Sequence, residues 1–154
     1  MRRKDRERDA AFAWDVLDRA DYVTLAMTDT EGKPYCIPLT VAVDREYGAL
    51  YFHCAREGLK LELLRQNSAV CLSAVSAMAS VPRQFSLSYS SAVLRGHAQE
   101  VTDEGEKVKA LLLLCTKYDP KGMDRFDGAL EQNLDATCVV KILPEVLTGK
   151  QSGN

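Results

Sequence analysis

The sequence lacks the features that mark several classes of protein. It has no excess of charge of one sign, because 20 basic and 22 acidic residues leave a net charge of −2. That near balance argues against bulk electrostatic binding to nucleic acid or to an anionic membrane. No apolar run is long enough to cross a bilayer. Five of the first eight residues are basic, but acidic residues follow where a signal peptide would have an apolar region. We therefore expect a cytoplasmic protein with no nucleic-acid or membrane partner.

Cysteine motifs are missing as well. The five cysteines are an odd number, and no two of them form a Cys-x-x-Cys pair. Most have apolar neighbours, which is typical of buried, reduced thiols. The sequence therefore predicts neither a disulfide framework nor a zinc site, and we expect no bound metal.

The common catalytic motifs are also absent. The chain has no glycine-rich nucleotide loop, no Walker motif, no Ser/His/Asp signature and no paired carboxylates in a persuasive context. From the residues alone, the function has to be sought in the order of helices and strands and in a few polar positions near their ends.

Periodicity divides the chain into helices and strands. Apolar residues at helical spacing predict four helices, and alternating or β-rich segments predict six strands. The helices are expected at residues 9–20, 57–66, 102–118 and 123–134, and the strands at 22–28, 34–43, 49–53, 69–76, 85–101 and 137–143. Residues 76–83 are expected to form a loop, since Pro82 cannot donate to a sheet ladder. Gly96 is expected at a bulge or bend.

The order of these segments favours one mainly β domain with flanking helices. A chain of 154 residues is ordinary for a single domain. Short antiparallel strands joined by short turns favour a closed or partly closed barrel over a doubly wound sheet. Residues 1–8 and 149–154 are expected to be flexible or to contact a partner.

The segment 50–61 contains the first candidate site. A strand ends at His53 and a helix begins close to Lys60, so unpaired backbone N–H groups and a lysine could hold a phosphate. Any strand-to-helix junction has free amides, and this signal is weak by itself. His53 could donate a proton or a hydrogen bond to a ligand, or be a structural strand-end residue. We expect a structural role for His97.

Two further segments have unusual compositions. Residues 34–41 hold two prolines in one strand, which places at least one of them at an edge that could accept a planar heterocycle. A plain barrel rim explains the prolines equally well. Residues 85–96 are rich in hydroxyl groups that could bind a phosphate or a ribityl chain, although a solvent-facing strand would have the same pattern.

Four segments resemble the FMN-binding split-barrel superfamily related to pyridoxamine 5′-phosphate oxidase, and within it the 5-nitroimidazole-resistance-like branch. The most specific of them is Tyr-Phe-His-x-Ala-x-x-Gly-x-Lys at residues 51–60. The others are Pro-Tyr-Cys-Ile-Pro-Leu at 34–39, Tyr-Ser-Ser-Ala-Val-Leu-Arg-Gly-His-Ala at 89–98, and Leu-Thr-Gly-Lys-Gln-Ser at 147–152. The resemblance also includes the basic N-terminus and covers nearly the whole chain in order.

The resemblance implies a six-stranded antiparallel split barrel that forms a homodimer, with FMN sites at the interface. One strand would run along the flavin ring, a turn and a lysine would hold the phosphate end, and a later strand would add contacts from the partner subunit. The residues implied along the flavin ring are Ile37, Pro38, Leu39, Thr40 and Val41. Those implied at the phosphate end are His53, Cys54, Ala55 and Lys60, and those implied on the later strand are Tyr89, Ser90, Ser91 and Val93. Cys54 stands where the family often has serine, and Arg95 where an apolar or aromatic residue is usual.

The function implied is that of an FMN-dependent oxidoreductase. It would pass electrons from NADH or NADPH to a small acceptor such as a nitroaromatic compound, with His53 assisting protonation as the catalytic residue. The alternatives are a flavin-binding store, sensor or interaction protein, and a split barrel that binds haem or a deazaflavin. Haem would have His53, His97 or a cysteine as its axial ligand. Pyridoxamine-phosphate oxidation is disfavoured, because the arginine-rich motifs that would bind a second phosphate are missing.

Overall fold

The structure, a computed structural model, describes residues 2–153 and is mainly β with flanking helices. It has eight strands, so the prediction of six was wrong. They are β1 (Glu7–Arg8), β2 (Val23–Thr28), β3 (Pro34–Leu39), β4 (Ala42–Asp44), β5 (Ala49–Ala55), β6 (Ala69–Val81), β7 (Ser86–Glu100) and β8 (Thr137–Ser152). The helices are α1 (Ala10–Arg19), α2 (Leu59–Gln66), α3 (Glu104–Tyr118) and α4 (Phe126–Asn133), with 3₁₀ turns at Lys4–Arg6 and Pro120–Arg125.

All strands belong to one antiparallel sheet in the order β3-β2-β6-β7-β8-β5-β4, and β1 pairs with β8. β3 and β4 are the two edges of this sheet, yet only Thr40 and Val41 separate them in sequence. Two residues span at most about 10 Å between the strands that they connect. The two edges must therefore come close together, and the sheet curls into a partly open barrel, as expected for a split barrel.

Local sequence signals explain the elements nearest the N-terminus. Asp9 caps α1 by accepting a hydrogen bond from the Phe12 amide at 2.9 Å. The helix buries Ala13, Val16 and Leu17 against the sheet. β2 buries every second residue, which gives the sheet an inner face that packs on α1 and α2.

The hairpin of β6 and β7 is longer than predicted. Residues 76–81 continue β6 and, after a bulge at Ser76, residues 77–81 pair with β7 as far as Val81 opposite Ser86, so the loop expected at 76–83 was wrong. Pro82 lies in the turn, where its missing N–H costs nothing. The ladder between β7 and β8 shifts register between Arg95 and Gly96, which confirms the expected bulge.

The strand predicted at 34–43 is interrupted at residues 40 and 41, where the chain passes from β3 to β4. The final strand extends beyond the predicted 137–143 to Ser152. Residues 7 and 8 pair with residues 150 and 149, so both terminal segments form part of the sheet; residues 1 and 154 lie outside the described part of the chain. Contact of these segments with a partner stays a prediction. Among residues 2–153, no helix is long and apolar enough to cross a membrane.

Candidate functional site

The sheet is interrupted where the crossing segment, residues 40 and 41, leaves β5, and we call the unpaired edge of β5 beyond Tyr51 together with this segment the slit. The β4–β5 ladder ends at Ala42 opposite Tyr51, and the same register continued would place Thr40 opposite His53. Instead, the chain turns to pair with β2 through β3. Among the described strands, none pairs with this edge of β5 beyond Tyr51, so those backbone donors and acceptors of residues 52–55 that do not bond β8 face the slit.

The predicted residues of this segment alternate across the strand. Ile37 and Leu39 are half-buried and Val41 is fully buried, whereas Pro38 and Thr40 are exposed. The outward side chains are therefore those of Pro38 and Thr40. Ile37, Leu39 and Val41 present only their backbone groups at the rim of the barrel.

The last turn of α3 holds the crossing segment in place. The Tyr118 hydroxyl donates to the Val41 carbonyl oxygen at 3.0 Å and accepts from the Val41 amide at 3.2 Å. The Lys117 ammonium group donates to the same carbonyl oxygen at 3.0 Å. These contacts replace the ladder bonds that Val41 would otherwise make. The sequence analysis missed both residues, because nothing local distinguishes them from other polar residues at a helix end.

The N-terminus of α2 lies directly after β5. Gly58 is the N-cap residue, and its φ of 127° lies in the region that favours glycine. Gly58 has no side chain to cap the helix, and although the Leu61 amide donates to the Gly58 carbonyl oxygen at 3.0 Å, the amide groups of Leu59 and Lys60 are left for another acceptor. Lys60 is in that first turn, and its ammonium group is 5.7 Å from the centroid of the Phe52 ring. This arrangement provides unpaired donors and a positive charge for an anion.

His53 is exposed at the end of β5, opposite Val139. Partial burial of its ring, followed by the charge of Lys60, lowers the pKa of His53 below its ordinary value of 6.5. The imidazole is therefore neutral at pH 7 and can both donate and accept a hydrogen bond. The structure thus brings His53 and Lys60 together at one end of the slit.

Cys54 faces the opposite side of β5. It lies directly across from Cys138 of β8, and the two thiols are hydrogen-bonding neighbours. Burial raises the pKa of both thiols, that of Cys138 to about 12. The Cys54 side chain therefore points toward the barrel interior, while its backbone and that of Ala55 remain at the slit.

The cofactor-binding residues predicted on β7 lie far from His53 in the folded chain. Val93 is paired with Thr148 of β8, whereas His53 is paired with Val139. Val139 and Thr148 are nine positions apart on β8, which is about 30 Å along the strand. One chain alone does not bring together the two groups of predicted residues. The group on β7 comprises Tyr89, Ser90, Ser91 and Val93.

His97 lies on the outer face of β7, away from the slit. Its Nδ1 atom is 3.0 Å from the Ser68 hydroxyl, and its Nε2 atom is 3.0 Å from a carboxylate oxygen of Glu145. These bonds tie the start of β6 to β8 across β7.

The sequence matches the family model described as pyridoxamine 5′-phosphate oxidase over residues 9–151. The chain therefore belongs to the pyridoxamine 5′-phosphate oxidase family, which confirms the resemblance found from the sequence. No curated protein matches this sequence.

Solved structures share the fold. A candidate 5-nitroimidazole antibiotic resistance protein from Bacteroides thetaiotaomicron is 27% identical, with a TM-score of 0.75 over 94% of this chain and 84% of that one. A flavocytochrome from Azotobacter vinelandii is 19% identical, with a TM-score of 0.82 over 100% of this chain and 72% of that one. An FAD-binding protein from Mesorhizobium loti is 22% identical, with a TM-score of 0.63 over 96% and 98%.

Proposed function

We propose that this protein binds FMN in the slit and works as a flavin-dependent oxidoreductase. The observation that carries the proposal is the meeting of an uncapped helix N-terminus, Lys60 and neutral His53 at an unpaired strand edge. Amide groups at a helix start and an adjacent lysine form a site suited to a phosphate monoester. Similar structures include FAD-binding proteins from Mesorhizobium loti and Mycobacterium smegmatis, which supports a flavin as the ligand.

The slit also suits the planar part of the cofactor. The outward side chains of Pro38 and Thr40 offer an apolar contact and a hydroxyl group, and the edge of β5 offers amide and carbonyl groups. Tyr118 and Lys117 fix the opposite wall through Val41. In this proposal, residues 37–41 lie along the ring system and residues 53–55 with Lys60 hold the phosphate end.

A homodimer would complete the site. Five apolar side chains on one outer face of β6, β7 and β8 are between 40% and 69% exposed: Val75, Met78, Leu87, Val93 and Val146. They share that face because residues paired across strands, and alternate residues along one strand, point the same way. An apolar sheet face of this kind is typical of a protein–protein interface. A second copy packed on it would bring its own Tyr89–Val93 strand toward the slit of the first.

The flavin would accept a hydride from NADH or NADPH and pass electrons to a small acceptor such as a nitroaromatic compound. The chain would position the cofactor, exclude water from part of the slit and supply hydrogen bonds. As the catalytic residue, His53 could donate a hydrogen bond to the acceptor from its neutral imidazole, and the proton would come from its minor imidazolium form, which takes up a new proton from solvent. His53→Asn is expected to retain flavin and lose turnover, whereas full turnover in that variant would remove His53 from the mechanism.

The first test is the visible absorption spectrum of the purified protein, with the released chromophore identified by mass. A flavin spectrum and the mass of FMN support the proposal. A Soret band would indicate haem, and the mass of FAD or a deazaflavin would change the cofactor. Flavin without oxidation of NADH or NADPH would favour a non-catalytic flavin-binding protein. Lys60→Gln is expected to weaken FMN binding at least about tenfold, whereas Lys33→Gln, an exposed lysine paired with Glu31, serves as the matched control.

A further inference from the structure

A serine, a histidine and a glutamate form a hydrogen-bonded chain on the outer face of the sheet. The Ser68 hydroxyl is 3.0 Å from Nδ1 of His97, and Nε2 of the same ring is 3.0 Å from a carboxylate oxygen of Glu145. Because a carboxylate only accepts, Nε2 carries the proton of the neutral imidazole, and Nδ1 accepts from the Ser68 hydroxyl. Serine proteases use the two ring nitrogens in the reverse order. A hydroxyl bonded to a base that a third group orients is the arrangement of an activated nucleophile.

An irregularity in β8 aims the glutamate at the ring. Glu145 is skipped by the ladder between β7 and β8, which resumes at Gly96 opposite Pro144. This close approach of the two strands requires glycine, because a Cβ atom at position 96 would overlap the carbonyl oxygen of Leu143. Bulges of this kind turn a side chain away from its regular direction and are frequent beside functional sites. Here the bulge places the carboxylate on the same face as His97.

The backbone around the serine is held on both sides. The Ser68 carbonyl oxygen accepts a hydrogen bond from the Ala98 amide at 2.8 Å. The side chain of Asn67 accepts from the Ala69 amide at 3.1 Å and donates to the Thr28 hydroxyl at 2.9 Å. These bonds fix the turn between α2 and β6, so the serine is held in position before a substrate arrives.

The three side chains are accessible and border a cavity. The side chain of His97 is 51% exposed and that of Glu145 is 64% exposed, so a substrate and water can both reach the ring. A cavity of about 450 Å³ is lined by Glu145 and by Ala69, the residue that follows Ser68. A volume in this range suits a small ligand. The apolar part of the lining comprises Ala26, Met27, Val70, Cys71 and Val146.

Arg95 adds a positive charge to this cavity. It lies two residues before His97 on β7, so both side chains are on the same face of the sheet. Among residues 2–153, no ion pair involves Arg95. Its guanidinium group is therefore available to donate to an oxygen on which negative charge develops during attack on a carbonyl group.

We infer that Ser68, His97 and Glu145 form an acyl-transfer site that accepts esters of small apolar acids. The Ser68 Oγ atom bonds to the ester carbonyl carbon while its proton passes to Nδ1 of His97. The bond from that carbon to the alcohol oxygen then breaks, and the alcohol leaves with the proton. A water molecule, deprotonated by the same nitrogen, releases the acid and restores the hydroxyl group.

In this site Ser68 and His97 are catalytic residues, and Glu145 is a positioning residue that acts through the ring. The site uses none of the residues assigned to the flavin slit and does not rest on the proposed function. Its activity is expected in protein with or without bound flavin.

The test is acylation of the full chain by p-nitrophenyl butyrate, followed by release of p-nitrophenol and by peptide mass spectrometry. A butyryl group is expected on Ser68 of the wild-type protein, and Ser68→Ala is expected to lose it. His97→Gln is expected to slow acylation of Ser68 at least about tenfold, because the general base is removed. The matched control is Ser80→Ala, since Ser80 is an exposed serine of β6 remote from His97; its rate is expected within about twofold of wild type.

Two variants of Glu145 separate positioning from a merely structural role. Glu145→Ala is expected to slow acylation, whereas Glu145→Gln keeps an oxygen that accepts from Nε2 and is expected to recover part of the rate. Thermal unfolding of both variants shows whether the rates differ at equal stability.

Wild-type protein without a butyryl group on Ser68 would overturn the inference, and this result does not depend on the folding of any variant. Equally fast acylation in His97→Gln, or an equal loss in Ser80→Ala, would overturn it as well. If Glu145→Gln were as slow as Glu145→Ala, the positioning role of Glu145 would be wrong.

Discussion

Tyr118→Phe tests whether the end of α3 holds the slit in shape. The variant keeps the ring and removes the hydroxyl that bonds both the amide and the carbonyl group of Val41. The carbonyl oxygen keeps its hydrogen bond from Lys117, so the amide is the group left without its partner. An unsatisfied buried amide costs about 1–3 kcal/mol. Because Tyr118 is 38% exposed and water can reach part of this region, we expect a loss of about 1–2 kcal/mol.

The measurement is urea unfolding of the variant beside wild type, with FMN affinity determined on the same samples. Tyr22→Phe is the matched control, since Tyr22 is 61% exposed; its stability is expected within about 0.5 kcal/mol of wild type. FMN affinity is expected to fall in Tyr118→Phe and to stay unchanged in the control. If the two variants were equally stable and bound FMN equally, Tyr118 would not position the crossing segment.

The remaining predictions concern the end of β5 and the helix that follows. Because the pKa of His53 is lowered in the folded state, the unfolded chain binds more protons at acidic pH. The stability contributed by neutral His53 is therefore present above pH 6.5 and is lost as the pH falls through the folded-state pKa; this loss should be smaller in His53→Asn in urea titrations at several pH values. Gly58→Ala is expected to cost about 1 kcal/mol or more in thermal unfolding and to weaken FMN binding, since alanine is strained at φ 127°. Gly128→Ala, in open space on α4, is expected to be neutral or stabilising, and a loss as large as that of Gly58→Ala would refute the strain argument. Diamide is expected to join Cys54 to Cys138, because directly opposed residues of antiparallel strands have Cα atoms about 4.5–5.5 Å apart, within disulfide range. Their raised pKa values should make this oxidation faster at alkaline pH, and peptide mapping that found neither cysteine in that bridge would contradict the geometry.

Local patterns predicted those elements whose apolar spacing is clear. α1 and β2 were predicted to within two residues, because one buries a helical face and the other buries alternate residues. The extension of β6 to Val81 was missed, since its small, exposed residues show no alternation. The end of β8 was missed because Pro144 and Gly149 interrupt the pattern; there the ladders to β7 and β1 supply the hydrogen bonds that define the strand.

The sequence by itself determined the mainly β character, the family resemblance and the nearness of His53 to Lys60, since these two residues are only seven positions apart. The tertiary structure decided which distant residues complete each site. Val41 and Tyr118 are 77 positions apart, and Glu7 lies opposite Lys150 only because the first and last strands pair. Such contacts depend on how the sheet curls and on the register of its outer strands. Both are set by packing of the whole chain, and no short segment contains that information.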